Sequence, residues 1–459
     1  MKYTLTIRRE DYATLRDIVL SAAPLEGAAY LLCGESRSEG EVRLLVREVV
    51  PVQDDDYLVR ERYRLSIRSQ SYARIAKHAA ASGGSVLFIH SHPGGDGVPS
   101  PQDDREDPGL MDFFESRVAD RVHGSGVIGA TPEWTARVFV DGEWQRIDTI
   151  RIIGQRFAFL RHPDADVLEI PQFFDRQVRA FGPDLQRLLK TLHVGIVGAG
   201  GIGSIVADQL ARLGVGEVSL FDHDALSATN VTRVYGSTTA LENEPKAKIL
   251  ADHLKAIGLG TDVHPHPFSI LAETTAKELR ACDVVFGCTD KEAPRAILNS
   301  LALYYLIPVF DLGVKISSTD GVIESIDGRI TILTPGAACL YCRGRITAET
   351  IRLESLTDDE RTSLAKEGYA PELPDHDPAV ITFTTAVATK ALTEFLNRLT
   401  GAISDEYFSE YLQLFHLEKV VRTNRPASPD CVCGQPELWG RGDRKTFLDQ
   451  LWPPVTPTE

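Results

Sequence analysis

The chain has 459 residues and a formal charge of -16, so a surface for nucleic-acid phosphates, which needs basic patches, is not expected. A hydrophobic content of 43% is ample for the cores of two or three domains, yet no apolar stretch reaches the length of a membrane span. The start carries Lys2, Arg8, Arg9, Glu10 and Asp11 where a secretory signal needs an apolar core, and a soluble cytoplasmic protein is expected.

The first residue that points to chemistry is Glu26, just ahead of the apolar run Ala28 to Cys33. A second short apolar run, Ser85 to Ile89, reads as a buried strand and leads into His90-Ser91-His92-Pro93. Residues two apart on a strand project to the same side, so the two imidazoles can share one metal. Gly94 to Pro99 is rich in turn formers, and Ser100-Pro101-Gln102-Asp103 reads as a helix start with Ser100 at the cap and Pro101 first in the helix. That start would return Asp103 towards the histidines. Two His and one carboxylate leave a fourth tetrahedral position open, the arrangement of a catalytic rather than a structural zinc. Hydrolysis also needs a base that collects a proton from water and delivers it to the leaving amine, and Glu26 is the candidate.

Glu26 followed by His-x-His-x7-Ser-x2-Asp resembles the JAMM/MPN metalloproteases, over roughly residues 1–150. The resemblance implies hydrolysis of peptide or isopeptide bonds at the C-terminus of ubiquitin-like proteins. It implies His90, His92 and Asp103 as zinc ligands, Ser100 as the hydroxyl that steadies the tetrahedral intermediate, and Glu26 as general acid/base. Taken alone, Ser100 and Asp103 read more often as a helix cap than as catalytic groups.

Between Trp144 and Asp175 the strand pattern gives way to a linker and a short helical lead-in, placed at 151–190. His193 to Val197 then reads as a strand, followed by Gly198-Ala199-Gly200-Gly201-Ile202-Gly203-Ser204 and an amphipathic helical pattern through Leu213. A further strand, Glu217 to Phe221, ends in Asp222. Glycines at a strand-to-helix turn let the backbone approach phosphates, the helix N-terminus attracts their charge, and the acidic residue can bind ribose. Alone this pattern fits NAD or FAD equally well. The polar set beyond it is Asp224, Asn230, Arg233, Lys246 and, after a strand over Asp283 to Phe286, Asp290. Cations around the phosphates and an acidic residue for magnesium suit the cleavage of a nucleoside triphosphate.

These residues and their spacings resemble the ThiF/MoeB family and the adenylation domains of ubiquitin-activating enzymes, over roughly residues 165–435. The resemblance implies a Rossmann-like domain with a mainly parallel sheet that uses ATP and Mg2+. By position Asp222 binds ribose, Asn230, Arg233 and Lys246 contact the phosphates, and Asp290 binds magnesium. Arg176 matches an arginine that in this family reaches the triphosphate across a homodimer.

Seven cysteines, an odd number in a chain of this length, do not indicate a disulfide framework. Cys339 and Cys342, with Cys431 and Cys433, are two short-spaced pairs suited to a closed structural zinc, as two such pairs are in the ThiF/MoeB family, although the second is CxC where CxxC is usual. Ubiquitin-activating enzymes that form a thioester carry a nucleophilic cysteine after the first zinc pair, and Arg343 to Val380 contains none. Adenylation without a stable enzyme thioester is therefore expected.

The expected fold class is α/β: an α+β JAMM/MPN domain over 1–150, the linker, a ThiF/MoeB domain over 191–435 and a poorly ordered tail over 436–459 containing Pro453, Pro454 and Pro457. Thr357 to Asp377, rich in acidic residues, Gly and Pro, reads as a crossing loop that orders with a partner. The leading functional expectation is a bifunctional enzyme of a bacterial ubiquitin-like system that trims or removes the modifier and adenylates its C-terminal glycine. The expected partner is the tail of that modifier, together with a ubiquitin-conjugating-like protein. One alternative is activation of a sulfur carrier for a cofactor or siderophore, with a sulfurtransferase as partner. Another is a non-catalytic scaffold that binds modifiers.

Overall fold

In the first part of the chain, short apolar runs are buried on both faces of a sheet, which is why they read as continuous rather than alternating. The structure, a computed structural model, describes residues 1–130, 134–354, 356 and 378–452. Thr357 to Asp377 and the three tail prolines lie outside the described residues. Two units are formed, one from Met1–Asp166 with Tyr304–Leu306 and Pro436–Thr446, the other from Val167–Leu303, Ile307–Gln435 and the residues after Thr446.

The first unit contains β1 (Lys2–Arg8), α1 (Arg9–Leu20), β2 (Ala28–Ser38), β3 (Glu41–Pro51), a small hairpin of β4 (Tyr57–Arg60) and β5 (Leu65–Ile67), α2 (Ser69–Ser82), β6 (Ser85–His92) and α3 (Asp103–Arg117). It continues through β7 (His123–Gly129), β8 (Trp134–Val140), β9 (Glu143–Ile153) and β10 (Ala158–Arg161). The main sheet runs β1-β3-β2-β6-β7-β8-β9-β10, and β1 also pairs with β9, so it closes on itself. Along β6, Leu87 and Ile89 pack with Leu15 and Val19 of α1, while Val86 and Phe88 pack with Ile75 of α2 and Met111 and Phe114 of α3. The same alternation carries His90 and His92 onto the α3 face.

Two expected boundaries are corrected here. Residues 151–166, read as the start of a linker, complete the first unit, because Arg151, Ile152 and Ile153 pair with Thr6, Ile7 and Arg8 of β1. Residues 436–446, read as tail, also join it: the Asp443 amide donates to the Glu35 carbonyl at 2.6 Å, and the Arg37 amide donates to Asp443 Oδ2 at 2.7 Å. Both partners are remote in sequence, so local composition gave no sign of them.

The second unit begins with α4 (Asp175–Phe181) and α5 (Pro183–Leu189), then β11 (His193–Val197), α6 (Gly203–Leu213), β12 (Glu217–Phe221), α7 (Lys246–Ile257) and β13 (Asp262–His266). After α8 (Glu273–Glu278) come β14 (Val284–Gly287), α9 (Glu292–Tyr304), β15 (Val309–Thr319) and β16 (Val322–Leu333). Two more helices, α10 (Ala348–Glu354) and α11 (Ile381–Thr400), precede β17 (Glu410–Leu414) and β18 (Lys419–Thr423). The sheet order is β13-β12-β11-β14-β15-β16-β17-β18, parallel through its first five strands and antiparallel beyond. Phe395 of α11 packs edge-on against Phe286 and Phe310, with ring centroids 5.8 and 6.1 Å apart, and covers one face. Strand order reverses at β11, which leaves a crevice at the carboxyl ends of β11 and β14, the usual ligand position in such sheets. The third strand begins one residue later than expected: Asp283 turns its carboxylate back to accept the His193 amide at 2.9 Å. Both expected domain classes stand, an α+β mixed sheet followed by a mainly parallel Rossmann-like sheet. Among the described residues no helix is long and apolar enough to cross a membrane.

Candidate active sites

His90 and His92 leave the end of β6 with their Nε2 atoms 3.3 Å apart, and Asp103 meets both, Oδ1 at 3.4 Å from His90 Nε2 and Oδ2 at 3.6 Å from His92 Nε2. Two imidazole nitrogens facing each other at this distance repel unless a cation or proton lies between them. Zinc–nitrogen bonds of about 2.0–2.1 Å place tetrahedral ligand atoms about 3.3 Å apart, so the trio fits zinc without rearrangement. His90 is held by stacking on Phe88. The charges agree: burial opposes ionisation of Asp103, but hydrogen bonds from His90 and His92 hold its carboxyl well below the usual range. Burial likewise opposes the His92 cation, and Asp103 outweighs it to lift His92 above its ordinary value.

The helix that brings Asp103 in starts later than read from sequence: its regular part begins at Asp103, not at Pro101. The cap itself is real. Asp103 N donates to Ser100 Oγ at 3.3 Å and Ser100 N donates to Asp103 Oδ2 at 2.6 Å, a reciprocal capping box. Cap and ligand are thus one device, because the bond from Ser100 fixes the carboxylate that faces the histidines. The Ser100 hydroxyl, an acceptor in this box, keeps its own proton free to donate.

Ser91, between the two histidines, points to the opposite face and ties down Glu26. Its Oγ donates to the Val19 carbonyl at 2.6 Å and accepts the Gly27 amide at 3.0 Å, while its backbone N donates to the Gly27 carbonyl at 3.0 Å. A Cβ on Gly27 would stand 2.5 Å from the Val19 carbonyl oxygen, so this close passage requires glycine. Glu26 precedes β2 rather than lying within it, is buried, and lines a cavity of about 600 Å³ together with His90, His92, Ser100 and Asp103. Burial raises its carboxyl above the usual range, against the pull of the two histidines.

In the second unit Gly198 adopts φ +96°, and a Cβ there would meet the Cys288 carbonyl at 2.7 Å, so β11 and β14 can close on the turn only through glycine. Gly203 opens α6, where a Cβ would collide with the Gly198 carbonyl oxygen, whereas a Cβ on Gly200 would face open space. Asp222 fastens this turn: its Oδ2 accepts the Ala199 amide at 2.6 Å and its Oδ1 accepts the Asp224 amide at 2.8 Å. Burial raises the Asp222 carboxyl above its ordinary value. Arg233 lies across Gly201, where a Cβ would come within 3.1 Å of its Cδ. Its Nη1 donates to the Thr229 carbonyl at 2.8 Å, in the short turn that contains Asn230. Lys246, first in α7, donates from Nζ to Asp224 Oδ2 at 2.9 Å. Burial opposes ionisation of Asp224, and Lys246 overrides it to hold that carboxyl below its usual range. Cys288 N donates to the Val197 carbonyl at 2.7 Å, and Asp290, two residues on, stands exposed at the same sheet edge. Arg176 is elsewhere. It is exposed on α4, whose neighbouring Gln177 donates to the Arg212 carbonyl at the C-terminal end of α6, about 16 Å of helix from the glycine turn.

The four cysteines converge. Cys339 Sγ lies 3.6 Å from Cys431 Sγ, and Cys342 Sγ lies 3.5 Å from Cys433 Sγ. Zinc–sulfur bonds of about 2.3 Å give tetrahedral edges of about 3.8 Å, so the set suits a structural zinc. The CxC pair manages this with a tight turn over Val432–Gly434. We expect about two zinc ions per chain by elemental analysis. Cys342→Ser should lower that towards one and depress the thermal midpoint by several degrees, because a structural zinc contributes directly to folding energy. Unchanged zinc content would exclude the thiolate site.

The fold and these two constellations define a chain that joins a metallohydrolase domain to a nucleotide-binding α/β domain. Residues 174–434, more than half of the sequence, match the ThiF family, and residues 9–140 match the prokaryotic homologs of the JAB domain. The chain belongs to the ThiF family, with an N-terminal JAB/JAMM metalloprotease domain fused to its adenylyltransferase domain. The molybdopterin-synthase adenylyltransferase of Escherichia coli (strain K12) is 31% identical over 186 residues, which cover 38% of this chain and 69% of that protein. Ubiquitin-like modifier-activating enzyme 5 of Drosophila ananassae is 29% identical over 265 residues, 54% of this chain and 61% of that one. The adenylyltransferase and sulfurtransferase MOCS3 of Caenorhabditis briggsae is 30% identical over 159 residues, 35% and 37% respectively. The chain thus spans less than two thirds of two of these three relatives.

Sequence reading brought together His90, His92, Asp103, Ser100 and Glu26, and separately the glycine turn, Asp222, Asp224, Arg233 and Lys246. It missed the role of Ser91, which alternation along β6 could have revealed. It also missed Arg62 and Arg64, cavity-lining residues from the β4–β5 turn, for which no local motif exists.

Proposed function

We propose that this chain is a bifunctional enzyme of a ubiquitin-like protein system, which cuts at the C-terminal tail of the modifier and then adenylates the exposed glycine carboxylate. The observation that carries this reading is the completeness of both constellations on one chain, above all three ligand side chains whose facing nitrogen and oxygen atoms come within 3.3 to 3.6 Å of each other in a cavity that also holds Glu26. In the first domain His90, His92 and Asp103 would hold zinc, which when bound would supply Lewis acidity for hydrolysis near neutral pH. Glu26 takes a proton from the attacking water and delivers it to the leaving amine, while the Ser100 hydroxyl donates to the developing oxyanion. Glu26→Gln is expected to lose about 10²–10⁴-fold in kcat/KM with zinc content unchanged; a loss under threefold would remove Glu26 from the mechanism.

In the second domain the tail carboxylate attacks the α-phosphorus of ATP and pyrophosphate leaves. The glycine turn and the α6 N-terminus cradle the phosphates, Asp222 takes the ribose, and Asn230, Arg233 and Lys246 hold the polyphosphate. Asp290 would hold magnesium. Arg176, about a helix length away from its own glycine turn, works across a homodimer on the partner's triphosphate.

Sulfur-carrier activation shares this chemistry. It is favoured by one observation: Cys33, Cys282 and Cys288 lie in or beside packed strands, and burial pushes the Cys33 and Cys288 thiols far up. The adenylate therefore passes to a thiol or sulfur donor on another protein. The test uses a modifier with residues beyond Gly-Gly. Pyrophosphate exchange should require prior cleavage with this precursor and none with the trimmed form. Exchange that starts at once with an uncut precursor sinks the coupled reading.

A further inference from the structure

We infer that the hydrolase cavity selects a substrate tail with an acidic side chain, read by Arg62 and Arg64. Both arginines line the cavity from the turn between β4 and β5, and both are exposed. Among the described residues neither meets a carboxylate; Arg62 only packs over the Tyr63 ring, 5.1 Å from its centroid. Four acidic groups share the cavity: Glu26, which the proposed hydrolysis uses, and three that are engaged elsewhere. Asp107 pairs with Arg137 at 3.1 Å, Glu106 accepts from Gln102 at 3.0 Å, and Asp103 faces the histidines. In a chain of charge -16, two cations lining the cavity without a carboxylate partner among the described residues are an electrostatic demand open to a substrate.

The position of Arg62 sets the range. Its guanidinium lies against Gly94, 3.2 Å from where a Cβ would stand, and Gly94 follows His92 by two residues. At about 3.8 Å per Cα step the guanidinium lies at most about 12 Å from the His92 backbone, and nearer because the chain turns here, the Gly95 amide donating to the His92 carbonyl at 3.1 Å. An extended peptide covers that in at most about four residues, so the acidic side chain falls within about four positions of the scissile bond. A charged partner in this setting is held by charge-assisted hydrogen bonds, and arginine suits a carboxylate through its planar fork.

The inference rests on the reading that this cavity cleaves peptide bonds, and the experiment separates the two. Dye-labelled peptides ending in Gly-Gly before the scissile bond, with Glu or Arg at the second, third or fourth position upstream, are offered to the zinc-loaded full chain. Anisotropy gives Kd and product release gives the cleavage rate. The Glu peptides should bind about tenfold tighter than the Arg peptides. Arg62→Glu with Arg64→Glu should invert that preference while the circular dichroism spectrum and zinc content stay unchanged. Equal affinities, no binding of either set, or a preference that the double variant leaves in place overturns the inference. Selective binding of the Glu peptides without cleavage supports the subsite and overturns the hydrolytic reading instead.

Discussion

Asp103→Asn is expected to abolish cleavage of an extended modifier, by more than about a thousandfold in kcat/KM, and to lower zinc in the first domain. Asn keeps the shape and can still accept the Ser100 amide, so the start of α3 should survive. What is lost is the negative charge that faces two imidazole nitrogens at 3.4 and 3.6 Å. Neutralising it leaves His90 and His92 to compete for the metal against their own protons, which weakens binding most at low pH. Adenylation of an already trimmed modifier should be untouched, because its residues belong to the second unit. Cleavage assays, elemental analysis and pyrophosphate exchange on the same preparation check all three expectations. Full cleavage by a zinc-replete variant would remove Asp103 from the ligand set.

Lys246→Ala should lower ATP–pyrophosphate exchange by about 10²–10³-fold while cleavage continues, the scale of removing one preorganised charge-stabilising donor. Lys246 is buried at the start of α7, with its ammonium on Asp224. Removing it takes a cation away from the proposed polyphosphate site and leaves Asp224 without the partner that holds its carboxyl below the usual range. Lys246→Arg tests geometry apart from charge: a longer planar cation should recover only part of the rate. Arg233→Ala should fall similarly, and because its side chain crosses the glycine turn, it should raise KM for ATP as well. Exchange that persists in Lys246→Ala would point to a nucleotide site elsewhere.

Both candidate sets were legible in the sequence because each is written as short spacings on regular elements. His90 and His92 share a face by the two-residue period of a strand, and Ser100 and Asp103 meet by the three-residue reach of a capping box. Gly198, Gly203 and Asp222 are likewise tied to the ends of two adjacent parallel strands. Exact helix starts were not legible: Ser100 to Gln102 form the cap and first turn, while the regular helix begins at Asp103.

By itself the sequence determined the two domain classes, their order along the chain and the candidate side chains for each site. Periodicity and spacing are local properties, and residues within about ten positions of one another feel them directly. Only the tertiary structure decided that residues 151–166 close the first sheet against β1, that residues 436–446 return to Glu35 and Arg37, and that Arg62 and Arg64 stand over the hydrolytic cavity. Each of these is a pairing between segments tens to hundreds of residues apart, fixed by which strand edges and surfaces remain open once the local elements have formed. No window of sequence contains both partners.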